Sequence, residues 1–222
     1  MAAPKLYYFD GRGRGAIVRL TLAACGIKFT DELLTEKEQI EKWRSDGLLL
    51  FSQVPMLEID GLKLVQSGAI VRYIAGKEGL LGSSHEETAR INMLFEGSRD
   101  FLSYFFMYKP GRGFVDIQEV LGDASAKALP RYLPVFDKVL KENGSGFLVG
   151  DSLTLADVGL LEPILSVLDY YGEEALKNYP SLQEFHKKVT SLPNMAEFLA
   201  GPQRRKPNDD VYMSTVTKVL FS

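Results

Sequence analysis

The stretch QVPMLEIDGLKLVQSGAI, residues 53 to 70, decides the architecture of the first third of the chain. MLEI and LKLV alternate apolar and polar residues, the period of a half-buried strand. Asp60-Gly61 between them is a two-residue hairpin signal, so the two strands run antiparallel side by side. Pro55 stands at the entrance to the first strand, where its missing N–H removes one ladder donor and the cis isomer is accessible. Neighbouring backbone groups are then left for a ligand, although an ordinary edge-strand proline reads the same way. Ser67 opens SGAIVRYIAGKEG as its N-cap, and Gly79 ends that helix.

Toward the N-terminus the same two periods alternate. KLYYF reads as a strand, AIVRLTLAACG as a helix closed by Gly26, KFTDELL as a short strand and TEKEQIEKWRSDG as a polar helix. The order βαβα followed by ββα describes an α/β domain with a mixed sheet. Beyond about Glu86 the texture becomes helical, in HEETARINMLFEGSRDFLSYFFMY, ASAKALPRYLPVFDKVLKENG, TLADVGLLEPILSVLDYYG, SLQEFHKKVTSL, NMAEFLA and DDVYMSTVTKVLF. The boundary falls in GLLGSSHEE, which gives an α/β domain over residues 1–82 and an all-helical one over residues 83–222. Pro163 inside a core helix predicts a kink.

The totals narrow the function classes. Of 222 residues, 45% are hydrophobic and 25% charged, values of a soluble globular protein. A formal net charge of −3 gives no basic surplus for nucleic acid. One cysteine, Cys25, permits no intramolecular disulfide, in keeping with a reducing compartment. The N-terminus lacks the apolar core of a secretion signal, and no apolar run is long enough to cross a bilayer. His85 and His186 stand far apart without Cys or His at metal-ligand spacing, which argues against a metal site. The expectation is a cytoplasmic protein.

Two places could carry chemistry. Gln66 and Ser67 lie at a helix N-terminus, where unpaired amides and the helix dipole favour an anion; a plain cap is the other reading. In PKLYYFDGRGR, Tyr8 ends a strand, Gly11 and Gly13 let backbone approach it, and Arg14 adds a permanent charge. A phenol beside such a charge can donate a strong hydrogen bond to a thiolate. Strand alternation forbids Tyr7 and Tyr8 from facing the same way, so one can pack while the other faces a cleft. GRGRG lacks the Lys-Ser/Thr of a P-loop and the GxGxxG spacing. In TLAD, Thr154 and Asp157 match a capping box and read as structural.

Taken in order, PKLYYFDGRGR, DGLLLFSQVPMLEIDGLKLVQSGAI, RYLPVFDKVLK, FLVGDSLTLAD and the tail beyond RKP resemble the cytosolic glutathione transferases, most closely the alpha class. The resemblance spans nearly the whole chain. It implies a thioredoxin-like N-terminal domain, an all-helical C-terminal domain and a homodimer that conjugates glutathione to hydrophobic electrophiles, for detoxification, with accessory peroxidase activity. Glutathione is then a co-substrate, and no cofactor is called for. Tyr8 resembles the catalytic tyrosine and Arg14 the arginine that helps stabilise the thiolate. Arg44, Gln53, Val54, Pro55, Gln66 and Ser67 match glutathione contacts, while Asp100 and Arg131 match residues that reach the tripeptide of the other subunit. Phe51 resembles the aromatic key of the dimer. Phe9, Gly11, Phe106, Met107, Pro110, Met213, Val216 and Leu220 would form the electrophile pocket, the last three from the C-terminal helix.

The chain departs from that pattern in places. Ser67-Gly68 stands where the alpha class has Thr-Arg, so an arginine near the dimer axis is missing, with Arg72 as a substitute one turn on. The end is Phe221-Ser222 instead of a terminal aromatic. A binding or structural protein that kept the fold and lost catalysis is the alternative. Retention of Tyr8, Arg14, Gln66, Ser67, Asp100 and Arg131 together speaks for the enzyme. A thiol–disulfide oxidoreductase fails because no cysteine follows the first strand.

Overall fold

The computed structural model describes residues 3–109 and 111–221. The chain divides into two compact units, one running to Ile74 and resuming at Glu197, the other Ala75–Ala196.

The first unit holds a four-stranded sheet. Its strands are β1 (Lys5–Tyr8), β2 (Thr30–Leu33), β3 (Met56–Ile59) and β4 (Leu62–Val65), in the order β2-β1-β3-β4. β1 pairs parallel with β2 and antiparallel with β3, so the sheet is mixed as the element order predicts. The parallel pair needs a crossover, supplied by α1 (Ala16–Ala24); α2 (Lys37–Ser45) follows β2 and α3 (Ser67–Lys77) follows β4. Asp60 and Gly61 both take positive φ, 53° and 77°, as a two-residue hairpin turn between β3 and β4 requires. Leu6, Val18, Leu20, Leu22, Leu57 and Ile70 are fully buried and form the core around the sheet. The resuming chain ends in α10 (Asp210–Phe221).

The second unit is helical. It contains α4 (His85–Ser103), α5 (Ile117–Asp123), α6 (Leu129–Asn143), α7 (Leu155–Tyr171) and α8 (Pro180–Thr190), and the first half of α9 (Pro193–Ala200). α4 and α7 pack closely because Gly159 carries no Cβ; one there would lie 2.6 Å from the Phe95 ring. Thr154 and Asp157 form the expected capping box at the start of α7, and Asp157 also accepts the Leu148 amide. α7 runs on as helix through Pro163.

Three local readings need correction. α4 ends at Ser103 instead of continuing to Tyr108, and Tyr108–Lys109 (β5) pairs antiparallel with Gly113–Phe114 (β6). The aromatic run 104–108 fits a strand as well as a helix, and Gly111 and Gly113, both at φ 78°, turn the chain. α5 lay in a stretch read without a helix, and it continues through a π-helical turn, Ala124–Ala128, into α6. At the head of α3 the Gln66 carbonyl accepts the amides of Ala69 and Ile70, so Gln66 occupies the cap position and Ser67 is the first helical residue. Among the described residues no helix is long and apolar enough to cross a membrane.

Candidate active site

Tyr8, the last residue of β1, is 5% exposed. Its hydroxyl accepts the main-chain amide of Arg14 at 2.9 Å, while the Arg14 side chain is exposed. The glycines of GRGRG make this contact possible. A Cβ at Gly13 would stand 2.4 Å from the Tyr8 hydroxyl, and one at Gly15 would stand 2.5 Å from Cδ1 of the ring. Gly13 also has φ 38°, outside the usual range for a residue with a side chain. The run is therefore a seat for a phenol. Tyr7 points the other way, as alternation requires: it donates to Glu58 at 3.0 Å and meets the Trp43 ring edge-on. Burial, then the Glu58 hydrogen bond, pushes the Tyr7 hydroxyl up to about 12, so it stays protonated.

A second phenol covers the first. Tyr212 of α10 lies with its hydroxyl 3.3 Å from that of Tyr8, and its ring fills the space where a Cβ on Gly11 would stand. Burial raises the Tyr212 hydroxyl far above its ordinary pKa, with Tyr8 adding to the shift, so Tyr212 stays protonated at any physiological pH. When Tyr212 donates to Tyr8, the Tyr8 proton is left for an incoming anion. The segment leading into α10 is tied down by Asn208, which accepts the Arg12 amide at 2.9 Å, and by the Arg205 carbonyl, which accepts Arg12 Nε at 2.8 Å. Lys218 meets Glu36 at 2.6 Å.

Gln53 and Gln66 are brought together, their side chains 3.4 Å apart. Gln66 takes φ 68°, uncommon for a residue with a side chain, at the N-terminus of α3, where Ser67 is buried. The amides of that first turn lack intrahelical acceptors and suit a carboxylate. The Val54–Pro55 peptide is cis, next to Gln53. Arg44 of α2 grips the Ser52 carbonyl from Nε at 3.2 Å and Nη2 at 3.1 Å. Arg72 donates to the Gly68 carbonyl within α3. Leu50 and Phe51 are 77% and 57% exposed, a pair of large apolar side chains on the loop before Gln53.

In the helical unit Asp100 and Arg131 are exposed and flank Tyr132; the Arg131 guanidinium lies 5.1 Å from that ring. Burial raises the Tyr132 hydroxyl above its ordinary pKa, with Arg131 acting against and Asp100 with that shift. Phe106 is half-buried and Met107 buried. Pro110 lies outside the described residues. In the first unit Phe9 and Val216 are buried, and Met213 and Leu220 are half-buried. α10 turns Val216 and Val219 inward with Tyr212, a 212–216–219 face displaced from the expected 213–216–220 one.

Tyr212 is thus the residue that sequence reading missed in the tail. Arg19 was passed over as well, although one charge inside the apolar run AIVRLTLAA signals a buried group with a partner. It is 1% exposed and bound to Asp31.

The chain matches the family model of the glutathione S-transferase N-terminal domain over residues 4–76 and that of the C-terminal domain over residues 118–202. It is 44% identical to glutathione S-transferase 3 of Gallus gallus, across 99% of this chain and 95% of the relative. It is 43% identical to glutathione S-transferase alpha-4 of Rattus norvegicus, across 98% and 97%, and 43% identical to glutathione S-transferase A4 of Homo sapiens, across 99% and 98%. Among solved structures, the glutathione S-transferase of Ascaris lumbricoides superposes with a TM-score of 0.76 at 31% identity, covering 93% of this chain and 99% of that one. A monomeric glutathione S-transferase of Necator americanus gives 0.77 at 29% identity, covering 94% and 100%. The chain belongs to the glutathione S-transferase family, among its alpha-class members.

Proposed function

We propose that the protein is a glutathione transferase that conjugates the glutathione thiolate to hydrophobic electrophiles. The observation that carries the mechanism is the Tyr8 hydroxyl, which accepts the Arg14 amide and so has a proton to donate to an anion. A thiol with a pKa near 8.5–9 is mostly protonated at neutral pH, and a hydrogen bond to its charged form lowers that value. The thiol proton leaves to solvent, the thiolate attacks the electrophilic carbon, a carbon–sulfur bond forms and the leaving group takes the displaced electron pair. For enals no group leaves, and the carbanion is protonated. In either case each pKa unit by which Tyr8 lowers the thiol corresponds to about 1.4 kcal/mol of thiolate stabilisation.

The polar groups around α3 support the rest of the reading. Gln66 and Ser67 hold the γ-glutamyl carboxylate, the Val54 main chain pairs with the cysteinyl residue, Arg44 meets the glycyl carboxylate and Gln53 adds a further polar contact. Asp100 and Arg131 serve the tripeptide of a second subunit, with Phe51 as the dimer key; the exposure of Phe51 supports that role. The domain carrying the glutathione site covers residues 1–82, and residues 83–222 contribute to the electrophile site. The setting is cytoplasmic detoxification, with hydroperoxide reduction as an accessory activity.

A non-catalytic binding protein is not favoured, since the full-length relatives are named as transferases. The test is conjugation of glutathione to 1-chloro-2,4-dinitrobenzene. A rate proportional to protein and far above the uncatalysed reaction supports the enzyme; glutathione binding at the uncatalysed rate overturns it.

A further inference from the structure

Three charged groups join the C-terminal segment to the loop that carries the Tyr8 contact, and all lie in the first unit. Arg19 of α1 spreads its guanidinium over three partners. Nε donates to both Asp31 oxygens at 3.1 and 2.9 Å, Nη1 to the Gly11 carbonyl at 2.7 Å and Nη2 to the Phe9 carbonyl at 3.1 Å. Phe9 and Gly11 are the turn between Tyr8 and the residues that bring the Arg14 amide back onto its hydroxyl. The Phe9 carbonyl also accepts the Gly11 amide at 2.9 Å, which closes that turn. A planar guanidinium is a rigid fork, so fixing it fixes the carbonyls it holds.

Asp31 of β2, whose side chain is 5% exposed, does not serve Arg19 alone. Its Oδ2 also takes Arg205 Nη2 at 2.9 Å, and Arg205 Nη1 reaches Asp10, inside the same turn, at 3.2 Å. Arg205 is 18% exposed, and its Nε is buried without a hydrogen-bond partner among the described residues. Leaving a charged donor unsatisfied is unfavourable, so this arginine is not simply the best packing for its position. Its own carbonyl holds Arg12, in the loop that carries Arg14.

We infer that Arg205 is a positioning residue for the transferase reaction: through Asp31 and Arg19 it holds the 9–14 loop so that the Arg14 amide stays on the Tyr8 hydroxyl, coupling docking of the C-terminal segment to thiolate stabilisation. The inference rests on Tyr8 as the thiolate-stabilising group. Loss of the Arg205 contacts loosens the loop, weakens the donor strength of Tyr8 and raises the pKa of bound glutathione.

The test compares Arg205→Gln, Arg205→Lys and Lys218→Gln in the full chain. The readouts are the pH midpoint of kcat/KM, kcat, KM for glutathione and the unfolding midpoint. Lys218→Gln breaks a different tether of the segment, to Glu36, without touching the loop. In Arg205→Gln the pH midpoint rises by about half a unit and kcat falls about three- to tenfold, with KM within about twofold. Arg205→Lys, which cannot span Asp10 and Asp31 with one ammonium, recovers only part of the shift, and Lys218→Gln leaves the midpoint in place. The inference is overturned if Arg205→Gln lowers the unfolding midpoint while the pH midpoint and kcat hold, or if only KM moves. Full recovery in Arg205→Lys also overturns it, since charge alone would then suffice. Should Arg205→Gln not fold, Arg205→Lys decides, because wild-type kinetics there contradict the coupling. Tyr8→Phe runs alongside: an unmoved pH midpoint there refutes the reading of the site itself, whereas a moved one with an inert Arg205→Gln refutes the coupling alone.

Discussion

The Arg14 amide nitrogen lies 2.9 Å from the Tyr8 hydroxyl oxygen, so the arginine next to the phenol acts on it through its main chain. A main-chain donor is fixed by the course of the loop and survives any substitution except proline. What the contact cannot survive is bulk on the loop beneath the ring.

Gly15 is the direct probe of that seat. A Cβ there meets Tyr8 Cδ1 at 2.5 Å and Cγ at 2.8 Å, and the neighbour is a buried ring that cannot swing away. Gly15→Ala is expected to cost about 1–3 kcal/mol in urea unfolding and to lower kcat by about tenfold or more. Gly122→Ala is the matched control. It has open space within 4 Å inside α5, so it should leave activity alone and gain up to about 1 kcal/mol from helix propensity.

Arg44 separates binding from chemistry. It braces the Ser52 carbonyl beside the loop that carries Gln53, and the proposed function gives it the glycyl carboxylate. Arg44→Ala is expected to raise KM for glutathione by about tenfold, with kcat within about twofold, in steady-state kinetics.

Asp157 makes a pH prediction for stability. Burial pushes its carboxyl up to about 6, against three hydrogen bonds from the Leu148 and Thr154 amides and the Thr154 hydroxyl that favour the charged form. Between about pH 4 and pH 6 the native state then holds the proton more tightly than the unfolded chain, so this group's contribution to stability falls as pH rises. Comparison with Asp157→Asn by urea unfolding isolates it. The wild-type stability minus that of the variant should be greatest below about pH 4 and shrink by up to about 3 kcal/mol by pH 7. A difference that grows with pH would mean that the three donors outweigh burial.

Phe51 tests assembly. With Leu50 it presents apolar surface that water covers in a lone chain. Light scattering should find a dimer for the wild-type chain and a shift toward monomer for Phe51→Ser; a wild-type monomer, the state described for the Necator americanus relative, would remove the partner roles of Asp100 and Arg131.

The strands, the Asp60-Gly61 hairpin and the Thr154–Asp157 box were legible because each is written in adjacent residues. The end of α4 was not, since aromatic residues suit a helix and a strand alike and the decision falls to glycines downstream. The site divides the same way. Tyr8, Gly11 and Gly13 announce a phenol with close backbone, but whose ring fills the space over Gly11 is settled 201 positions later by Tyr212. Arg205 and Asp31 meet across 174 positions, and no local pattern pairs a tail arginine with a strand carboxylate. Arg19 could have been found, because a charge in an apolar helix demands a partner.

The central claim is that Tyr8 stabilises the thiolate of bound glutathione, and the most direct measurement is a pH titration of the thiolate's ultraviolet absorbance in the binary complex, for wild type and Tyr8→Phe. The predicted result is a thiol pKa well below about 8.5 in the wild-type complex and a rise of about one unit or more in the variant, with glutathione still bound. Equal pKa values in the two complexes would contradict it and leave the Tyr8 hydroxyl a structural acceptor for the Arg14 amide.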